Sequence, residues 1–325
     1  MIDVKNIFEA ILEEEKVKEV LAFLKADDSF TLEEQLEMCQ IPSPSFSEQK
    51  KAELICEKMK KYGLQDIYVD DAGNVIGTRK GVGNGPKIVI SSHMDTVFPM
   101  ETDLTVKKDG DIYRCPSICD ATRSLAELLS ILRALEKTGI ETIGDIIFCM
   151  TVGEEANGDL YGSRHFFKTR DDIDAFITVD TSMAHGIVYK AQGGSSYKVK
   201  FKGKGGHGFM DFGTPSANYA LARAVAKIAD MQVDKKSDTT FNVGLIEGGS
   251  ASNAISSEAF MSLNLRSNDE ENLRIVEEKA LSLLHEAVDD ENNRWNSEDK
   301  VSVDIELSSR RPSGTQADNA PIVEV

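Results

Sequence analysis

An α/β fold is expected for this chain: a largely parallel sheet covered by helices, carrying an inserted α+β domain. Three observations predict it. Apolar runs of strand length alternate with helical patterns from Pro86 to Asp180. At Gln192 the pattern changes to the polar/apolar alternation of strands with one wet face. A length of 325 residues also exceeds one ordinary domain.

The elements follow in order. Helical patterns open the chain: IFEAILEEEKVKEVLAFLK, TLEEQLEMCQI and SEQKKAELICEKMKKYG, the last with Ser47 and Glu48 suited to a helix start and Gly63 to a stop. IYVDDAGNVIGTRKG reads as a hairpin about Asp-Ala-Gly-Asn. Strand PKIVISSHMD, helix TRSLAELLSILRALEKTG, strand GDIIFCMTVGEE, helix GDLYGSRHFF and strand IDAFITVDT come next. Beyond Gln192 lie strand YKVKFKGKGG, helix ANYALARAVAKIAD, strands TTFNVGLIEGG and EAFMSLNLRS, helix NLRIVEEKALSLLHEAVDD and strand KVSVDIELS. The expected division is 1–192, an inserted domain at 193–307, and 308–325 as the start of a return to the first domain.

Composition narrows the possible functions. With 41% hydrophobic and 28% charged residues the chain is globular in type, and a formal charge of −18 disfavours nucleic acid and anionic membranes as partners. The N-terminus is acidic and amphipathic, without a basic region followed by an apolar stretch, and no later segment has the length of a membrane span. Five scattered cysteines without a CxxC suit a reducing compartment, so a cytoplasmic location is expected.

In such sheets ligands gather at the carboxyl ends of strands, where this chain keeps its acids. His93 and Asp95 end one strand, Asp120 precedes a helix, Glu154 and Glu155 end the next strand, and Asp180 the one after. That many carboxylates in one crevice would raise their pKa values unless a cation neutralised them. Imidazole and carboxylates without thiolate suit zinc, with manganese or cobalt as substitutes. Residues two apart on a strand share a face, so Asp95 is placed to accept a hydrogen bond from the His93 nitrogen that does not touch metal. Adjacent strand residues point apart, so Glu155 can bind metal while Glu154 acts as general base.

SHMDTVFP, ICDATRSLAELLSILRAL, GDIIFCMTVGEE and the Asp180 strand resemble, in order, the motifs of the zinc metallohydrolase family of peptidase T, aminoacylase, carboxypeptidase G, carnosinase-type dipeptidases and succinyl-diaminopimelate desuccinylase. The resemblance runs over nearly the whole chain. It implies a zinc exopeptidase-like catalytic domain and an inserted lid and dimerisation domain, with His93 and Asp180 on one metal, Glu155 on the other and Asp120 bridging both. Glu154 would be the base, Asp95 the carboxylate behind His93, and the Asp120–Ala121 peptide cis. GKGGHGFMDFGTPSANYALA resembles the family's histidine segment, which implies that His207 reaches the partner subunit's site and stabilises the oxyanion. GGSASNAIS and LNLRS likewise imply Asn253 and Arg266 as substrate ligands for a carbonyl and a carboxylate. His165 and His185 read as structural, and Cys119 as a small loop residue.

The implied activity is hydrolysis of an amide bond in a small peptide or N-acyl amino acid by a homodimer. The alternatives are a deacylase such as a desuccinylase, or a non-catalytic metal- or peptide-binding relic. The family takes one more metal histidine from a segment after the lid, whereas this sequence stops at Val325 and its last histidine is His285, in the lid. The expectation is that the second metal position is reduced to Asp120 and Glu155 and that activity is impaired.

Overall fold

The computed structural model describes residues 4–155, 158–180, 186–233 and 238–324; His185 lies outside the described residues. The chain forms two compact units, Met1–Gly186 with Asn319–Val325, and Ile187–Asp318.

The first unit opens with α1 (Val4–Glu13), α2 (Glu15–Ala26), α3 (Asp28–Cys39) and α4 (Gln49–Lys61). The hairpin β1 (Tyr68–Val69) and β2 (Val75–Arg79) follows, then β3 (Ile88–His93) and a small ribbon of β4 (Lys107–Asp109) and β5 (Ile112–Arg114). Helix α5 (Thr122–Thr138), β6 (Ile146–Thr151), α6 (Tyr161–Thr169) and β7 (Ala175–Thr178) complete it, with a closing turn of helix at Pro321–Glu324. The sheet order is β1-β2-β6-β3-β7. Strand β3 pairs parallel with β6 and β7, whereas β2 pairs antiparallel with β1 and β6, so the sheet is mixed.

Strand β6 explains why both faces are covered. Its residues alternate, sending Phe148 and Met150 into one buried cluster with Ile55, Met59, Leu125 and Leu129, and Ile147 and Cys149 into another with Val89 and Phe166. Helices α4 and α5 pack on the first face and α6 on the second. Helix α5 ends where Gly139 takes a left-handed φ of 61°, a conformation that costs glycine no steric penalty.

The second unit contains β8 (Lys190–Ala191), β9 (Gly193–Lys202), β10 (Gly206–His207), α7 (Ala217–Ala229), β11 (Thr240–Gly248), β12 (Ala254–Ile255), β13 (Glu258–Ser267), α8 (Glu270–Asn293), β14 (Ser302–Arg311) and β15 (Gly314–Thr315). Its main sheet is antiparallel in the order β11-β13-β9-β14. Tyr197, Val199 and Phe201 of β9 turn inward against α7 and α8, and the lysines between them turn out, as the alternation predicts. The Asp269 carboxylate caps α8 by accepting from Asn272 N at 2.8 Å.

The unit boundaries differ from the expected 193–307. Strand β14 runs on to Arg311, and Arg310 is tied to Glu270 and Glu277 of α8, so residues 308–318 belong to the second unit and the return begins at Asn319. The ion pairs are the physical reason, and hydrophobic periodicity does not reveal them.

Candidate metal centre

The register of the parallel strands assembles the cluster. Ser91 pairs with Thr178 and His93 with Thr151, so short continuations of β3, β6 and β7 bring His93, the segment after Thr151 and Asp180 to one edge. Asp120 enters from the turn before α5, and the Asp120–Ala121 peptide is cis, as the resemblance implied.

His93 is 3% exposed. Its Nε2 lies 2.9 Å from Asp120 Oδ1 and 3.6 Å from Asp180 Oδ1. Nδ1 faces the other way, 3.0 Å from the Asp95 main-chain oxygen and 3.4 Å from Asp95 Oδ1. The ring is thus held through Nδ1, and Nε2 is the nitrogen available to a metal. Burial alone would lower the His93 pKa, but hydrogen bonds to Asp180 and Asp95 and their charges overcome it and push the value up to about 11.

Asp95 has a larger part than the sequence indicated. Its Oδ1 accepts from Glu154 N at 2.9 Å, and its Oδ2 from Glu155 N at 3.0 Å and from Ser45 Oγ at 2.7 Å. Although burial opposes ionisation, the bonds from His93, Ser45 and the two amides bring its pKa down to about 2. The expected approach to His93 is present, but most of the carboxylate's hydrogen-bonding capacity is spent clamping the loop that carries both glutamates.

That loop also corrects the expectation that Glu154 and Glu155 point apart. Strand β6 ends at Thr151, so strand alternation no longer governs them. Each places a carboxylate oxygen within 4.8 Å of the other and of a His93 ring nitrogen. Burial and the negative charges of Asp120 and Glu154 raise the Glu155 pKa, the mark of a crevice with excess negative charge.

Among the described residues two groups could hold a metal ion: His93, Asp120 and Asp180, and His93, Glu154 and Glu155. The donor chemistry fits a divalent cation of zinc type, since it offers one imidazole nitrogen and several carboxylate oxygens around an excess of negative charge. His93 belongs to both groups yet has a single nitrogen to offer, so a second ion would rest on carboxylates alone. Cys119 is exposed and enters neither group.

Two residues were read only as helix-start signals or passed over. Glu48 precedes α4 without capping it; its buried carboxylate accepts from Gly153 N at 2.9 Å and so holds the other end of the glutamate loop. Ser45 reaches Asp95 because residues 43–45 run beside 94–96, with a parallel bridge between Pro44 and Thr96. The Ser-Phe-Ser-Glu stretch was visible in the sequence, but its long-range partners were not.

In the second unit, His207 on β10 pairs with Ala254 on β12, and Gly208 N donates to the Asn253 main-chain oxygen at 2.7 Å, which brings His207 and Asn253 together. His207 Nδ1 accepts from Phe209 N at 3.3 Å and Met210 N at 3.4 Å, which leaves Nε2 of the exposed ring as the nitrogen placed to donate. Arg266 is elsewhere. It lies eight residues past Glu258 on the continuous strand β13, ~26 Å along it, where its guanidinium donates to Asn264 Oδ1 at 3.1 Å. Within one copy of this unit, Arg266 therefore does not share a contact surface with His207 and Asn253.

Residues 189–292 match the sequence profile of a peptidase dimerisation domain. The YqjE protein of Bacillus subtilis, itself uncharacterised, is 27% identical over 307 residues, covering 90% of this chain and 79% of its own length. A tripeptidase structure from Staphylococcus aureus superposes with a TM-score of 0.76 at 26% identity, over 90% of this chain and 79% of that one. Residues 189–292 thus carry the dimerisation domain of M20 peptidases, and over most of its length the chain resembles peptidases of that family. Aminopeptidase PepT of Bacillus cereus shares the fold of this chain, with a TM-score of 0.74 at 22% identity and the same coverage. The succinyl-diaminopimelate desuccinylase of Corynebacterium glutamicum is 26% identical over 244 residues, which is 70% of this chain and 64% of the desuccinylase. By resemblance to these peptidases and amide hydrolases the chain is a metal-dependent amide hydrolase. No helix among its described residues is long and apolar enough to cross a membrane.

Proposed function

We propose that the chain hydrolyses the amide bond next to a free terminus of a small peptide, with tripeptides as the first substrates to try. The observation that carries the reading is the strand-end cluster of His93, Asp120, Asp180 and Glu155 beside a glutamate loop held at both ends by Asp95 and Glu48.

Zinc is the ion proposed for His93, Asp120 and Asp180, with Glu155 and Asp120 for a second, and manganese or cobalt as substitutes. When bound, such an ion supplies Lewis acidity to the scissile carbonyl. Glu154 takes the proton of the attacking water and delivers it to the departing amine. Asp95 keeps Glu154 in reach by holding its amide, and Ser45 keeps Asp95 in place. In a homodimer formed through the second unit, the partner subunit's His207 donates its Nε2 proton to the oxyanion, with Asn253 beside it on the same carbonyl. Arg266 is proposed as a ligand for a carboxylate at a separate part of the substrate. The cytoplasm is the proposed location.

The desuccinylase relative supports a second reading, removal of an acyl group from an amino acid side chain or α-amine. A panel of tripeptides, dipeptides, N-acyl and N-succinyl amino acids, assayed on the zinc-loaded chain, tests both. Release of the N-terminal residue from tripeptides supports the peptidase, and preference for N-succinyl compounds the deacylase. A zinc-loaded chain that cleaves nothing in the panel defeats both.

A further inference from the structure

A second cavity lies in the first unit, apart from the metal cluster. It has a volume of about 680 Å³ and opens between α4, the β1–β2 turn and the segment after β6. Ala52, Val69, Ala72 and Val152 give it apolar walls. Phe46 and Tyr161 also line it, their rings edge to face with centroids 5.5 Å apart, and both are unusually open for aromatic side chains at 53% and 44% exposure. None of the metal-cluster residues is part of its lining.

The polar part of the lining is one-sided. Glu48, Glu53 and Glu57 contribute carboxylates, and no lysine or arginine does. Glu53 and Glu57 stand one turn apart on the exposed face of α4, and neither enters an ion pair among the described residues. Lys60, the basic residue whose charge is felt at Cys56, is outside the lining. An apolar chamber with exposed aromatic rings selects a hydrophobic or aromatic body, and a rim of unneutralised carboxylates selects positive charge and repels anions.

We propose that this cavity binds a small organic cation, an ammonium group on an aromatic or aliphatic body. The ammonium sits at Glu53 and Glu57 and the body lies between Val152, Ala72 and the Phe46–Tyr161 pair. The ammonium contacts, Glu53 and Glu57, are not among the residues assigned to the hydrolytic chemistry. Glu48 links the two regions, because it lines the cavity and holds Gly153.

The test uses Cys56, a free thiol in the cavity lining, with the exposed Cys119 beside the metal cluster as internal control. The full chain is alkylated with iodoacetamide in the presence of 2-phenylethylamine, 2-phenylethanol or 3-phenylpropionate, and labelling of each cysteine is followed by peptide mass mapping. Saturable protection of Cys56 by the amine is expected, with Cys119 labelled at an unchanged rate and no protection by the carboxylate. The alcohol is expected to bind about fivefold more weakly, and Glu53→Gln with Glu57→Gln to weaken the amine by a similar factor, the size of two half-solvated ion pairs. Both glutamates are exposed, and the amine-to-alcohol comparison needs no variant, so loss of folding cannot decide the result. Failure of the amine to protect Cys56 would overturn the proposal. So would protection of Cys119 in its place, or amine and alcohol protecting equally with no effect of the double substitution.

Discussion

Two polar clusters in the first unit are built from the same residue types and do opposite things. One joins α2, α3, α4 and α5: Arg133 donates to Asp27 and Glu34, Lys58 donates to Glu34 at 2.9 Å and to Glu37 at 2.6 Å, and Tyr62 donates to Glu34. The Arg133 guanidinium also lies 4.8 Å from the Phe30 ring centroid and 4.9 Å from that of Tyr62. Here two bases meet three acids and the charges nearly balance. The Asp27 pKa is accordingly depressed, since bonds and charge from Arg133 outweigh its burial. At the strand ends, one imidazole meets Asp95, Asp120, Asp180, Glu154 and Glu155. A balanced buried network closes on itself and holds helices in place; an unbalanced one is unfinished without a cation. Net charge within the cluster, more than the presence of buried acids, separates scaffold from site.

The comparison can be broken by experiment. Glu154→Gln is expected to lower kcat by about 10²- to 10⁴-fold while bound zinc and the thermal midpoint stay as they were, because only the proton relay is lost. Kinetics with elemental analysis would check it, and loss of metal in this variant would contradict the division of labour between Glu154 and Glu155. Arg133→Met should do the reverse. It strands Glu34 and Asp27 in the interior and should cost about 3–5 kcal/mol in urea unfolding, leaving zinc affinity and kcat of the folded fraction unchanged.

Metal addition should separate the clusters again. Zinc at about a hundredfold excess over its Kd should stabilise the native chain by ~2.7 kcal/mol, and the Asp120→Ala, Asp180→Ala double variant should show no such gain in thermal unfolding. Asp95→Asn is expected to weaken zinc binding about 10- to 100-fold, since the amide holds His93 and the glutamate loop less well than the carboxylate does. The smallest effect per step is that of pH. In the metal-free chain the raised His93 pKa gives a stabilisation complete below its ordinary value of 6.5 and lost as pH climbs through about 11. Binding requires the neutral ring, so one proton leaves His93 per ion, and zinc affinity should rise about tenfold per pH unit across the neutral range. Zinc titrations at a series of pH values would reveal the slope, and a flat response would mean that His93 is not a ligand.

Much of this was legible in the chain itself. The existence and order of strands β3, β6 and β7, the hairpin at residues 67–81 and the texture change near Gln192 all follow from periodicity. The ligand types were legible too, because carboxylates and a histidine at successive strand ends have few other uses. Less legible was everything that depends on which segments become neighbours. Glu48 looked like helix punctuation and Ser45 drew no reading, Glu154 and Glu155 were read with strand alternation although β6 ends three residues earlier, and the second unit was cut short at 307 because the Arg310 ion pairs leave no periodic trace.

By itself, then, the sequence determined the element types, the buried faces and the chemical kind of site, because these depend on local spacing and residue chemistry. The tertiary structure alone decided that Asp95 spends its carboxylate on the glutamate loop, that Glu48 holds that loop from the other side, and that Arg266 stands about 26 Å along β13 from the end near His207. The physical reason is that hydrogen bonds and ion pairs between distant segments act only after the strand order has brought those segments together, and no repeat in the chain encodes that order.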